Sequence, residues 1–185
     1  MGKEAMKEKG TAPESVVLAF KVWVAVLILE IVHQITSVLT ALMDRENTTA
    51  TIIEQYKQSQ AAVIPSETFV STVVIGSSIF VGCVALAIIG IVLWLARSYV
   101  SAGPRAGTAR KVLTYFGVFF ALRCIFAFKA PTLSMVPIGV QAFNGSVEIA
   151  VGVAAVVGTI LVSKPDSLEW VGDNLSAKKP KKPQR

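Results

Sequence analysis

Glu30, His33 and Glu148 fall deep inside long apolar runs, and Arg123 lies nearer the end of another. Hydrocarbon penalises each charged side chain by a few kcal/mol on insertion scales, so a chain that keeps such residues pairs them, lines a cavity with them, or presents them to a partner. At about 100° per residue, Glu30, His33, Gln34, Ser37 and Asp44 share one helical face. Gln141, Asn144 and Glu148 share another, with Gly152 one turn further on. Turned inward with Arg123, these stripes form an intramembrane polar network of Glu30, His33, Gln34, Arg123, Gln141, Asn144 and Glu148. Arg123 is expected to pair with either Glu148 or Glu30, while the other carboxyl is protonated or hydrogen-bonded to His33 or Gln34. Such a network can hold helices together, or it can handle a proton, an ion or a substrate.

Other chemistries lack their residues. Glu30-x-x-His33 is half of a di-iron signature, but the full site needs a second Glu-x-x-His and His33 is the only histidine. The same count excludes bis-histidine haem within one chain. No Ser or Cys has a His in a nucleophile motif. Cys83 and Cys124 lie in apolar segments without a CxxC partner, and read as packing residues. Neither catalytic residues nor a cofactor or metal is expected.

The elements that position these residues are apolar and long. The chain has 185 residues, 53% of them hydrophobic, with a net charge of +6, and the mean hydropathy is +0.61. The runs exceed what a soluble core uses and predict an all-α integral membrane protein with four transmembrane helices. The spans cover residues 16–43, 69–96, 112–128 and 137–162, within a membrane domain of 16–163. A polar segment, 1–15, precedes it, and a basic tail, 164–185, follows. The first run is too long for a signal-peptide core and is read as an uncleaved span. The second span carries no charge and contains Ser78-x-x-x-Gly82, a pattern that lets helices approach closely.

Charge placement orients the chain. Residues 1–15 carry three Lys; the 97–111 loop carries Arg97, Arg105, Arg110 and Lys111 with no acid; the tail is Lys-rich. The loop from Asp44 to Thr68 has only Arg45 and Lys57 against four acids. The positive-inside rule therefore places both termini in the cytoplasm of a multi-pass protein of the cell membrane, a parity that suits four spans. In the first outer loop, Ile52, Ile53, Tyr56 and Val63 predict a short amphipathic helix, and Pro65-Ser66 resets the chain before the second span. In the cytoplasmic hairpin, Gly103-Pro104 stops one helix and Thr108 is placed to cap the next. Arg105, Arg110, Lys178, Lys179, Lys181 and Lys182 are expected to contact anionic lipid headgroups, the tail lysines tethering to lipid or remaining solvated. Basic residues here lack the folded, aromatic-interleaved surface of a nucleic-acid binder, so no nucleic-acid partner is expected. The outer loop Pro131–Pro137 is apolar, and Leu133 and Met135 are its candidate partner contacts.

The stretches PESVVLAFKVWV (13–24) and YVSAGPRAGTARKVLTYFG (99–117) resemble small four-helix membrane proteins of actinobacteria, among them accessory subunits of the cytochrome bcc–aa3 respiratory supercomplex. That resemblance is one of layout and texture. It implies a cofactor-free subunit of the electron-transport chain that packs against larger catalytic subunits in the plasma membrane, and it carries over no functional residues. The expected function is accordingly a non-catalytic accessory or assembly subunit of a larger integral membrane complex. The alternative is a small proton-coupled transporter using Glu30 and Glu148; Glu30, in the first of the four helices at Leu29-Glu30-Ile31, resembles the mid-membrane glutamate of small multidrug transporters.

Overall fold

A computed structural model describes residues 11–59, 63–126 and 136–173. All regular structure among them is helical: α1 (Glu14–Met43), α2 (Arg45–Gln58), α3 (Glu67–Val100), α4 (Ala106–Phe126), α5 (Ile138–Val162) and α6 (Pro165–Trp170). Long helices are the expected response of an apolar chain, because every backbone donor and acceptor must be satisfied without water. Among the described residues α1, α3 and α5 are long and apolar enough to cross a membrane, which makes this a multi-pass membrane protein. The 21-residue α4 contains Arg110, Lys111 and Arg123 and is not among them.

The helices are bounded by readable signals. Pro13 precedes α1 with extended ψ, and the Ser66 hydroxyl accepts from the Phe69 amide to cap α3. Ala102 follows the end of α3 at a left-handed φ of 47°, a conformation more usual for glycine, and Gly103–Arg105 then turn the chain into α4. That turn starts α4 at Ala106, so Thr108 lies inside the helix rather than capping it. Both long helices of the hairpin extend beyond the expected spans because they run on past the apolar stretch: α3 reaches from Glu67 to Val100. The segment between α1 and α3 holds α2, which packs against α3. Ile52 and Ile53 lie on it half-buried, but Val63 falls beyond the helix and is exposed.

The four long helices run alternately up and down. α1 packs against α3 and α5, and α4 packs against the same two, so α1 and α4 stand at opposite corners of a bundle. The dense core lies in the half where α1 begins: Trp23, Val26, Val92, Tyr99, Leu113, Val151 and Val162 are fully buried there. Small residues bring the backbones together. A Cβ at Gly152 would collide with Cys124 of α4, one at Gly117 would collide with Thr159 of α5, and one at Gly82 would come within 3.2 Å of Val38. Cys124 thus packs as expected, whereas Cys83 points outward. Large apolar side chains such as Phe80 and Ile160 also project outward, as lipid solvation allows.

One element has no counterpart in the sequence reading. α6 folds back onto the bundle, and the Ser167 hydroxyl, fully buried, bonds the Leu161 carbonyl at 2.8 Å and the Ser15 hydroxyl at 3.3 Å. The start of the segment read as a basic tail is therefore packed structure, with Trp170 and Val171 against the core.

Candidate functional site

The polar stripe of α1 and that of α5 meet Arg123 near the middle of the bundle. Glu30 lies about 24 Å along α1 from its start and about 20 Å from its end at 1.5 Å per residue. Its side chain is only 4% exposed. Arg123 sits one turn before the end of α4 and reaches diagonally across to it, Nη1 donating to Oε1 at 2.8 Å and Nη2 to Oε2 at 2.5 Å. This is a two-pronged guanidinium–carboxylate fork, the strongest common geometry for the pair. Arg123 Nε faces Glu148 Oε1 of α5 at 3.3 Å, close enough for an ion pair though not aligned as a hydrogen bond. The guanidinium also lies over the Phe120 ring, 5.2 Å from its centroid.

The sequence posed a choice between Glu30 and Glu148; Arg123 takes both. One guanidinium thereby ties three helices, and it links the opposite corners α1 and α4 that do not otherwise pack closely. Gln34 completes the first ring of contacts by donating to Glu30 Oε1 at 2.7 Å from one turn away. Two carboxyls share one guanidinium, so the cluster holds one more acid than base.

Further along the same faces the contacts loosen. His33 Nε2 and the Ser37 hydroxyl are 3.4 Å apart, and Asn144 donates to Ser37 at 3.5 Å, a thin bridge between α1 and α5. His33 Nδ1 and Asn144 Oδ1 are buried with no hydrogen-bond partner among the described residues. Gln141 leaves the network: its amide donates to the Val136 carbonyl at 2.7 Å and pins the chain leading into α5.

A cleft of about 550 Å³ opens between α3 and α4 on the flank of the bundle. Its inner end is Glu30, Gln34 and Arg123; its walls are aliphatic side chains of α3, including Ala85, and the aromatic run Tyr115, Phe116, Phe119 and Phe120 of α4. The sequence reading missed these aromatics, although their i, i+1, i+4, i+5 spacing marks one helical face.

The expected headgroup contacts divide. Arg105 stacks over the Trp94 ring at 5.8 Å. Arg110 is instead held inside the protein by Asp173, with Nη2 at 2.8 Å and Nε at 3.3 Å from one carboxylate oxygen. The reason is α6, which brings Asp173 back beside the start of α4. Arg110 holds the Asp173 carboxyl below the usual carboxylate range, against a smaller opposing effect of burial. Lys178, Lys179, Lys181 and Lys182, and the loop residues Leu133 and Met135, lie outside the described residues.

Among the described residues no group of three His, Cys, Asp or Glu side chains could hold a metal ion. No protein-family model matches the chain, and no curated protein or solved structure does either.

Proposed function

We propose that this chain is a non-catalytic accessory or assembly subunit of a larger integral membrane complex in the cell membrane, crossing it four times with both termini in the cytoplasm. The observation that carries this reading is the triad within one chain: Arg123 pairs with Glu30 and Glu148, so the charged groups inside the bundle hold its helices together. What remains on the outside is apolar flank, suited to lipid and to neighbouring helices. α4 is the fourth span in this proposal. Its length of about 30 Å matches the hydrocarbon core, its Arg123 is neutralised by pairing, and Arg110 and Lys111 fall in its opening turns where headgroups would lie. The excess of Lys and Arg at the end where α1 begins and α6 docks supports a cytoplasmic assignment for both termini. The respiratory bcc–aa3 supercomplex implied by the resemblance is the first partner to test, and anionic lipid is the ligand assigned to the Lys-rich tail.

Affinity purification of the full chain in gentle detergent should recover a defined set of larger membrane subunits in fixed stoichiometry. Aspartate at Leu133 and Met135 should weaken that recovery without loss of helix content. A second reading, proton-coupled transport, is favoured by one feature: the cleft reaches a cluster with two carboxyls per guanidinium. Purification as a lone species, with transport in liposomes abolished by Glu30→Gln, would replace the first reading with the second.

A further inference from the structure

The cleft between α3 and α4 has the composition of a ligand site rather than of a packing defect. Its volume of about 550 Å³ lies in the ordinary range for small-molecule pockets, mostly apolar with a few convergent polar groups. It opens sideways: Val81 and Phe119 at its rim are 61% and 55% exposed, on the flank that hydrocarbon would cover. Its far end is polar and lies at the depth of Glu30, in the middle of the bundle. A phospholipid cannot bring its charged headgroup to that depth without the penalty that excludes charge from hydrocarbon. A ligand whose polar group reaches that end must therefore be neutral and reside in the membrane interior.

The polar end also selects the kind of head group. A guanidinium has five N–H donors and no acceptor. Arg123 directs two of them into the Glu30 carboxylate and turns Nε toward Glu148, which leaves Nη hydrogens for an acceptor. Gln34 uses one Nε2 hydrogen on Glu30 and retains the other. Spare donors beside a neutral ligand call for carbonyl oxygen. Next to them stand the rings of Phe116, Phe119 and Phe120, Phe116 inclined at 32° to Phe120 and Phe119 edge-on to it at 60°, an aromatic lining against which a flat, conjugated group can pack. Among lipids soluble in hydrocarbon, quinones are flat, neutral and carbonyl-bearing at one end.

We propose that the α3–α4 cleft binds a lipid-soluble quinone, its carbonyl on Arg123 and Gln34, its ring against Phe116, Phe119 and Phe120, and its tail leaving past Ala85 into the bilayer. The inference is one of binding, with no electron transfer assigned to this chain. It does not rest on the subunit reading, because the cleft is complete within the single chain.

The test uses the full chain in nanodiscs of phosphatidylglycerol and phosphatidylethanolamine, photolabelled with a ring-azido decyl-benzoquinone. Peptide mapping should place the label on residues 115–123 and 81–89. Excess unlabelled decyl-benzoquinone should lower that labelling about tenfold, whereas decylbenzene should not, since a site built around hydrogen bonds rejects an analogue lacking the matching group, and dioleoylglycerol should not, since its ester carbonyls lie on no flat ring. Ala85→Phe fills the cleft and should lower labelling as far, with helical circular dichroism unchanged. Label spread over outward residues of α5 such as Val153 and Ile160, or equal competition by decylbenzene, would mean capture by any lipid-facing surface and would overturn the proposal. Competition by dioleoylglycerol alone would overturn the quinone assignment as well. Should Ala85→Phe fail to fold, the competition series on the unaltered protein decides the matter by itself.

Discussion

Two arginines of α4 make the same contact in different surroundings. Arg110, in the first turns of the helix, meets one carboxylate, Asp173, at a bundle end where the two side chains are 16% and 32% exposed. Arg123, in the last turn, meets two carboxylates; it is 22% exposed, Glu148 17% and Glu30 4%, and its open side is the cleft on the bundle's flank. At the rim, water and salt screen the pair, and letting it go costs little. At mid-bundle, hydrocarbon rather than water would cover what these side chains leave open, so each charge depends on its partner. The same ion pair is thus a clasp in one place and a keystone in the other. The keystone also explains how α4 can lie against α3 and α5 and still be tied to α1 across the diagonal.

The widest separation between the two should come from removing each arginine. Arg123→Leu strands two carboxylates, and breaking a buried pair of this kind costs about 3–5 kcal/mol. Arg110→Leu should cost about 1 kcal/mol or less, as partly exposed pairs do. Reversible unfolding in mixed micelles would rank them. Combining Arg123→Leu with Glu30→Leu should recover much of the larger loss, because the stranded charge goes with the partner. Equal effects of the two single changes, or no recovery in the double, would mean that Arg123 holds nothing together.

How far these sites were legible in the sequence follows from the range of the signals. The facing stripes of α1 and α5 follow from helical periodicity alone and contain Glu30 and Glu148, and Arg123 is the one charge in the third apolar run. That Arg123 would take both acids could not be read, because it depends on α4 standing diagonally from α1, a matter of bundle order rather than spacing. Gln141 was assigned to the network by its phase on α5. The Val136 carbonyl, close in sequence but created by the turn into the helix, takes it instead. The clasp was missed for a similar reason: α6 has only six residues, and the charge of the following tail made the whole segment resemble a solvated extension. Arg110 was then given to lipid when its partner lay 63 residues on. The long helices are local and readable; the six-residue α6 and the choice of partners are not.

The keystone has a second support, and testing it sharpens the contrast. Gly152 and Gly117 allow α4 and α5 to touch, since a Cβ at either would collide with Cys124 or Thr159 of the facing helix. Gly152→Ala should cost about 1–3 kcal/mol by overpacking, less than the loss of Arg123, and should move Arg123 relative to Glu148. Hydrogen exchange should show faster amides in α4 and α5 on both sides of the substitution while α6 keeps its protection. Loss of protection in α6 to the same degree would mean that keystone and clasp are one cooperative unit.

The smallest effect should be the clasp's response to acid. Arg110 holds Asp173 below its ordinary value of 3.8, so the ionised carboxylate is favoured in the folded clasp over the free chain. A depressed carboxyl contributes stability that is fully present above the unfolded value and is lost as pH falls through the folded one. Docking of α6 should therefore be constant from neutral pH down to about 4 and weaken below that range. Amide exchange of residues 165–173, corrected for its intrinsic pH dependence, would report the opening. Asp173→Asn should remove this acid response and leave a small, pH-independent loss, because the Ser167 contacts to Leu161 and Ser15 carry no titrating group and remain. If Asp173→Asn exchanges like the unaltered chain at every pH, those serine contacts alone hold α6, and the Arg110–Asp173 pair contributes nothing to its docking.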